Sequence, residues 1–238
     1  MRTILKIIGL FVAFTVLLKV TVAQSGEYIE VRDFETWTSA KVKFKPNKKL
    51  TFGLQGQLRL DKNSSELKGF FTELTGGYQL FKGMEIGAGL RYINKNDNAG
   101  AVQGNEHYFR YHLDASYKHK VDRFTIKYRF RYQNKNEIGV SAGEGDVNLQ
   151  YFRLKASVTY NIKNWKLDPV LSGEIFNKYE KNGYSNGFSD YRLTIGTNYK
   201  TKNYGKIGVF YRLENEISSY YPKTTHILRI KYTYTLKR

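Results

Sequence analysis

The chain has 238 residues, including 15 Phe, 20 Tyr and 2 Trp, and its 39 Lys and Arg against 21 Asp and Glu give a formal net charge of +18. It contains no cysteine, which excludes disulfides, thiolate metal sites, iron–sulfur clusters and cysteine nucleophiles. So many large apolar side chains exclude a disordered chain, and the length fits one domain.

The first 23 residues have the three parts of a secretory signal peptide. Arg2 and Lys6 give a positive start, residues 7–18 form an apolar run, and the segment ends at the small residue Ala23. The run is short for a transmembrane helix, and Lys19 interrupts it. The sequence therefore predicts a cleaved signal peptide at residues 1–23 and a single mature domain at residues 24–238.

After residue 24 the apolar residues recur with period two, which is typical of β-strands. For example, Phe124, Ile126 and Tyr128 alternate with Thr125 and Lys127, so that the two sets lie on opposite faces. The pattern predicts eleven strands, at about residues 33–45, 50–61, 70–81, 84–94, 107–118, 123–135, 148–160, 165–178, 189–200, 206–216 and 225–236. Each is close to the roughly 9 to 11 residues that a tilted strand needs to cross a bilayer.

The connections between these segments alternate in length. Tight connections are predicted at residues 46–49, 82–83, 119–122, 161–164 and 201–204. Longer connections are predicted at residues 62–69, 95–106, 136–147, 179–188 and 217–224. This rhythm is typical of outer-membrane barrels, which have short periplasmic turns and longer outer loops.

The apolar face of the strands has aromatic residues at both ends and no charge between them. Aromatic residues near the tight turns are Phe44, Tyr117, Phe124, Tyr160, Trp165 and Tyr199, and those near the long loops are Tyr92, Phe109, Tyr132, Phe152, Tyr191 and Tyr211. The apolar band between them consists of Leu54, Leu74, Ile86, Ala88, Leu113, Ile126, Leu154, Val158, Leu193, Ile195, Val209 and Ile230. Nearly all charge lies on the opposite face, which predicts an all-β, antiparallel, up-and-down transmembrane β-barrel with a polar lumen.

The strand count of that barrel is left at 10 to 12. Bacterial single-chain barrels have an even number of strands, so the eleven segments leave both ten and twelve open. The first segment also runs from the long-loop end, the outer side, to the tight-turn end, the periplasmic side. A mature amino terminus is instead expected in the periplasm. Either residues 25–32 climb to the outer side, as an extra strand or through the lumen, or the first segment is misplaced. All these counts give a narrow barrel rather than a wide diffusion pore.

An arginine recurs on the polar face near the long-loop end of eight strands, and two other strands place a glutamate there. The resulting lumen belt consists of Arg59, Glu73, Arg91, Arg110, Arg131, Arg153, Glu174, Arg192, Arg212 and Arg229. Glu35 fits the same level. Two interpretations are open: a packed salt-bridge core, or an electropositive constriction that favours anions. Inward glycines below the belt either leave space or ease strand curvature: Gly53, Gly77, Gly87, Gly89, Gly196 and Gly208.

Four short passages resemble the bacterial family called Domain of Unknown Function 2490. They are Phe34-Glu35-Thr36-Trp37, Ile86-Gly87-Ala88-Gly89-Leu90-Arg91-Tyr92, Phe109-Arg110-Tyr111-His112-Leu113-Asp114 and Tyr232-Thr233-Tyr234-Thr235-Leu236-Lys237. The resemblance spans most of the mature chain and implies an outer-membrane barrel of Gram-negative bacteria. The family has no assigned activity and brings no catalytic or binding residues. Many outer-membrane barrels end in an aromatic residue, whereas this chain ends in Lys237-Arg238.

Some outer-membrane barrels modify lipids, so a histidine base beside a nucleophile must be considered. His112, Asp114 and Ser116 share one strand face, but neighbours two apart lie about 6.6 Å from each other, too far for the direct hydrogen bonds of a triad. No metal-ligand spacing and no phosphate-binding glycine loop is present, so no catalytic residue, metal or cofactor is predicted. The signal peptide and the aromatic girdles make nucleic acid an unsuitable partner for the basic charge.

The sequence thus predicts an outer-membrane β-barrel that is structural, or has a narrow anion-favouring passage, or binds a small ligand in its lumen. A lipid-modifying enzyme, acting as an acyl hydrolase or transferase on lipid A or phospholipid, is the alternative. The expected partners are membrane lipids, lipopolysaccharide and the barrel assembly machinery. The ligand and the oligomeric state are left open.

Overall fold

The structure is a computed structural model that describes residues 31–97, 104–140, 148–180, 186–201, 204–217 and 219–237. The signal peptide predicted for residues 1–23 lies outside the described residues. Eleven strands are present: β1 (Val31–Lys45), β2 (Leu50–Asp61), β3 (Glu66–Phe81), β4 (Met84–Asp97), β5 (Gly104–Val121), β6 (Phe124–Glu137), β7 (Leu149–Tyr160), β8 (Leu167–Glu180), β9 (Gly187–Lys200), β10 (Lys206–Glu216) and β11 (Lys223–Lys237). They confirm the all-β prediction and its eleven segments. The described residues contain no helix that could cross a bilayer.

The strands close into one barrel in sequence order, with β1 beside β11. Ten of the neighbouring pairs are antiparallel, and the pair that closes the barrel is parallel. This parallel ladder runs the whole length of both strands, from Val31 opposite Lys223 to Lys45 opposite Lys237. Eleven strands lie within the predicted range of 10 to 12, but the expectation that the number is even is wrong. An odd number of alternating strands closes when its first and last strands run the same way.

The first predicted segment is correctly placed. β1 starts at the same end of the barrel as β11 and runs with it toward the tight turns. It therefore runs from the long-loop end to the tight-turn end of the barrel, as the sequence predicted. The sequence analysis left open whether residues 25–32 climb to the outer side as an extra strand or through the lumen. Residues 25–30 lie outside the described residues.

The rhythm of the connections is less regular than predicted. β3 begins at Glu66, so the connection from β2 is only four residues rather than the predicted residues 62–69. Three consecutive residues in this turn, Lys62, Asn63 and Ser64, have positive φ angles of 48°, 58° and 63°. The turn is held by a hydrogen bond from Asn63 N–H to the carboxylate of Asp33, at 3.0 Å. The chain therefore reverses within four residues at an end of the barrel where longer loops were predicted.

The barrel has its apolar side chains outside and its polar side chains inside. Among the described residues only Trp37, Phe71, Phe176 and Ile227 are buried large apolar side chains, whereas 43 large hydrophobic or aromatic side chains are exposed. None of the twelve residues of the predicted apolar band and none of the twelve girdle aromatics is buried. A domain that folds in water buries such residues in its core, so this distribution is the reverse of the ordinary one.

Candidate functional site

The predicted belt residues all line one cavity inside the barrel. This upper cavity has a volume of ≈ 650 Å³, and its walls include every one of the ten: Arg59, Glu73, Arg91, Arg110, Arg131, Arg153, Glu174, Arg192, Arg212 and Arg229. Strand alternation explains the arrangement, because each of these residues has the inward parity of its strand. The four buried apolar side chains line the same cavity.

Glu174 on β8 is the centre of the largest ion-pair group. Its Oε1 accepts hydrogen bonds from Arg153 Nε and Nη2 at 3.0 and 2.7 Å and from Arg129 Nη2 at 2.7 Å. Its Oε2 lies 3.6 Å from Arg192 Nη1 and 3.9 Å from Lys155 Nζ. The carboxylate is buried, so one acid compensates several cations where water does not screen them.

Two further carboxylates, Glu73 and Asp114, pair with belt arginines on strands that follow their own in the chain. Glu73 on β3 accepts a hydrogen bond from Arg91 Nε at 2.7 Å and lies 3.5 Å from Arg110 Nη2. Asp114 on β5 accepts two bonds from Arg131, from Nε at 2.6 Å and from Nη2 at 2.7 Å. The second pair has the bidentate geometry for which guanidinium and carboxylate groups are matched.

Glu214 and Glu35 complete the pairing near the barrel's closure. Glu214 accepts a hydrogen bond from Arg192 Nε at 2.6 Å. Glu35 accepts bonds from the indole Nε1 of Trp37 at 2.7 Å and from Lys68 Nζ at 2.5 Å. Glu35 lines the upper cavity with the ten belt residues.

Three belt arginines on β2, β10 and β11 are not in this network. In the described part of the chain no carboxylate lies within salt-bridge distance of Arg59, Arg212 or Arg229. The guanidinium of Arg59 lies 4.0 Å and that of Arg212 5.2 Å from the ring centroid of Trp37. The Nε atoms of Arg59 and Arg229 are buried without a hydrogen-bond partner. Arg229 lies on β11, which forms the parallel closure with β1, and Arg59 and Arg212 lie on the strands that flank this pair. The closure therefore brings together three arginines that have no direct ion pair among the described residues.

The composition of the cavity wall decides its overall charge. Fifteen Lys and Arg side chains line it, against the six carboxylates of Glu35, Glu73, Glu174, Asp190, Glu214 and Glu216. Internal pairing therefore leaves a large positive excess. The belt thus combines the two interpretations: many of its arginines are salt-bridged, and a positive excess is left in the cavity. That excess is not confined to one side, since the wall from β10 to β2 holds three of the six carboxylates, Glu35, Glu214 and Glu216.

Sequence reasoning missed several residues of this site. Arg129, Lys155 and Lys231 lie two residues from a belt arginine on the same strand face and line the same cavity, so the period-two pattern could have identified them. The inward aromatic residues Trp37 and Phe71 were also missed. The lumen was expected to be polar throughout, whereas Arg91 stacks on Phe71 at 3.5 Å from the ring centroid.

The inward glycines make room for specific side chains. A Cβ atom on Gly89 would lie 2.3 Å from the His112 imidazole. Cβ atoms on Gly196 and Gly208 would each lie 2.5 Å from the Phe210 ring. At these positions the missing side chain is replaced by a neighbour's ring, so the glycines do not simply leave open space.

Three of the four histidines, His107, His112 and His119, lie on β5, and His226 lies on β11. His112 is buried, and its Nε2 lies 3.9 Å from Asp114 Oδ2, while its Nδ1 has no hydrogen-bond partner. Asp114 is engaged by Arg131 instead. His119 lies in β5 rather than in the predicted turn, and it stacks between Tyr117 and Tyr128. No group of His, Asp and Glu suited to a metal ion is found in the described ranges.

Comparison with known proteins gives one match. The model of a family described as "Protein of unknown function (DUF2490)" matches residues 34–219. These residues include all of β2 to β10 and every belt residue except Arg229. No curated protein and no solved structure matches the chain.

Proposed function

The chain belongs to the DUF2490 family, which assigns it no activity, and we propose from the barrel itself that it is a bacterial outer-membrane β-barrel whose narrow lumen admits small anions. The observation that carries the proposal is the upper cavity, in which fifteen cationic side chains face six carboxylates. A pore or chamber lined by one sign of charge favours ions of the other sign.

The exterior of the barrel supports the membrane location. Leu74, Leu113, Leu154 and Ile195 each expose more than half of their surface on the outer face. Aromatic residues flank this band at both ends, where their rings suit the interface between hydrocarbon and headgroups. The predicted signal peptide supplies the export step. Membrane lipids and lipopolysaccharide are the proposed partners of this surface, and the barrel assembly machinery is the proposed insertion partner.

The size of the barrel supports a narrow lumen. Eight strands make a barrel that side chains just fill, and about sixteen leave a wide aqueous channel. Eleven strands lie between these cases, and here long arginine and lysine side chains occupy much of the interior. The lumen is therefore suited to small ions rather than to bulky solutes.

The location is tested by cell fractionation and by gel migration of the unheated protein. We expect the protein in the outer-membrane fraction, and we expect its migration to change on boiling, because a closed ladder of strands resists detergent until heated. Recovery of the mature protein as a soluble species that migrates identically before and after boiling would contradict the proposal. The anion preference of the lumen is tested by ion selectivity in a planar bilayer.

A further inference from the structure

A second cavity lies below the belt, on the tight-turn side of the lumen. This chamber has a volume of ≈ 330 Å³ and is lined by Lys43, Lys155, Ser157, Val170, Ser172, Thr194, Asn198, Lys206, Gly208, Phe210, Arg212, Arg229, Lys231, Thr233 and Thr235. It shares Lys155, Arg212, Arg229 and Lys231 with the upper cavity. The two cavities therefore meet at these four side chains.

The wall of the chamber contains six cations and, among the described residues, no carboxylate. Hydroxyl and amide groups complete the polar lining: Ser157, Ser172, Thr194, Asn198, Thr233 and Thr235. This differs from the upper cavity, where six acids are present. The chamber thus combines positive charge with neutral hydrogen-bond donors.

The cations of the chamber are largely without counter-charges. No ion pair to Lys43, Lys206 or Lys231 is present within the described ranges, and Arg229 Nε is buried without a hydrogen-bond partner. Lys155 lies 3.9 Å from Glu174, which already binds arginines.

Asp168 lies on β8, which lines the chamber through Val170 and Ser172, but its carboxylate pairs with a lysine outside the chamber wall. Asp168 on β8 lies opposite Asn198 of the chamber wall in the strand register. Its Oδ2 accepts a hydrogen bond from Lys200 Nζ at 2.5 Å, and its Oδ1 accepts one from Asn161 Nδ2 at 3.1 Å. Arg212 is buried and the other five cations of the chamber are partly buried. Like charges that share a confined space repel one another, so an anion from outside the chain would relieve that repulsion.

We propose that the chamber binds a phosphate-class oxyanion, either inorganic phosphate or a small phosphate monoester. A tetrahedral oxyanion has several acceptor oxygens, so it accepts hydrogen bonds from lysine, arginine and hydroxyl groups on different strands at once. Chloride carries one charge without separate acceptor atoms and matches such a wall less well. The inference rests on the proposed function, because the ligand must enter through an anion-admitting lumen.

The test is a calorimetric titration of the purified barrel in detergent with inorganic phosphate, in a chloride buffer. We expect saturable binding that Lys231→Gln weakens by about tenfold or more, since the substitution removes a charge-assisted hydrogen bond to the anion. Lys206→Gln, at the other side of the chamber, is expected to weaken binding in the same way. A parallel titration with glycerol phosphate shows whether the ligand is free phosphate or an ester.

Lys95→Gln is the control, since Lys95 lies at the long-loop end of β4, pairs with Glu106 at 2.6 Å and is not among the residues that line either cavity. It should change the dissociation constant by no more than about twofold, because salt screens distant charges. Heat-modifiable migration of each variant confirms that the barrel is intact. Absence of saturable phosphate binding, or equal weakening by Lys95→Gln and Lys231→Gln, would overturn the chamber assignment. An anion-selective barrel that binds no phosphate refutes the chamber alone, whereas a cation-selective barrel refutes the proposed function.

Discussion

Replacing Glu174 by Gln is expected to lower the free energy of unfolding by about 3–5 kcal/mol, because removal of one partner leaves buried charges uncompensated. The carboxylate accepts hydrogen bonds from Arg153 and Arg129 and lies near Arg192 and Lys155. Glutamine keeps the shape of the side chain but not its charge. The cost therefore reports the electrostatic role of this one acid in holding β6, β7, β8 and β9 together.

The measurement is a denaturant titration of the barrel folded in lipid vesicles, followed by its heat-modifiable band. Glu180→Gln on the same strand is the control, since Glu180 pairs with Lys178 at 2.7 Å at the rim and both side chains are partly exposed. That pair should be worth at most about 1 kcal/mol. Equal effects of the two substitutions would show that the lumen network does not stabilise the barrel.

Replacing Leu154 by Arg is expected to cost about 2–4 kcal/mol in a bilayer, because a charge on the lipid face of a barrel is costly near the midplane. Leu154 lies on β7 between Phe130 and Ile175 of the neighbouring strands, and 57% of its surface is exposed. In a water-soluble barrel the same exposed site would tolerate arginine within about 0.5 kcal/mol. The substitution thus separates a lipid-facing surface from a water-facing one.

The same titration in vesicles measures this effect. Tyr220→Arg is the control, since Tyr220 lies outside the strands and 85% of its surface is exposed. It should leave the free energy of unfolding nearly unchanged, because surface substitutions away from special features have small effects. If Leu154→Arg is as well tolerated as Tyr220→Arg, the membrane-spanning role of the exterior band is contradicted.

The strands could be predicted from the sequence because their signal is local. Side chains alternate along one strand whatever its neighbours are, so the period-two pattern located all eleven. The closure could not be predicted in the same way. The ladder that begins with Val31 opposite Lys223 joins the first strand to the last, and no local pattern reports whether such a ladder is parallel. The rule that bacterial barrels have an even number of strands does not hold for this barrel.

The inward position of the charged residues followed from the same alternation, but their pairing did not. Arg129 on β6 reaches Glu174 on β8 across the intervening strand, a contact set by side-chain length and barrel curvature. Likewise, the uncompensated state of Arg59, Arg212 and Arg229 depends on which strands the barrel brings together at its closure. Counting charges predicted a positive excess, and only the folded barrel shows which of the described arginines form ion pairs.

The reversal potential of the purified barrel in a planar bilayer under a KCl gradient tests the central claim most directly. Because fifteen cations face six carboxylates in the upper cavity, the account predicts a reversal potential with the sign of chloride permeation. Lys231→Glu should move that potential toward the potassium value, whereas Lys95→Glu should move it less, because Lys95 lies at the long-loop end of β4 and is not among the residues that line either cavity. A barrel that conducts no ions, or whose potential has the sign of potassium permeation, would contradict an anion-admitting lumen.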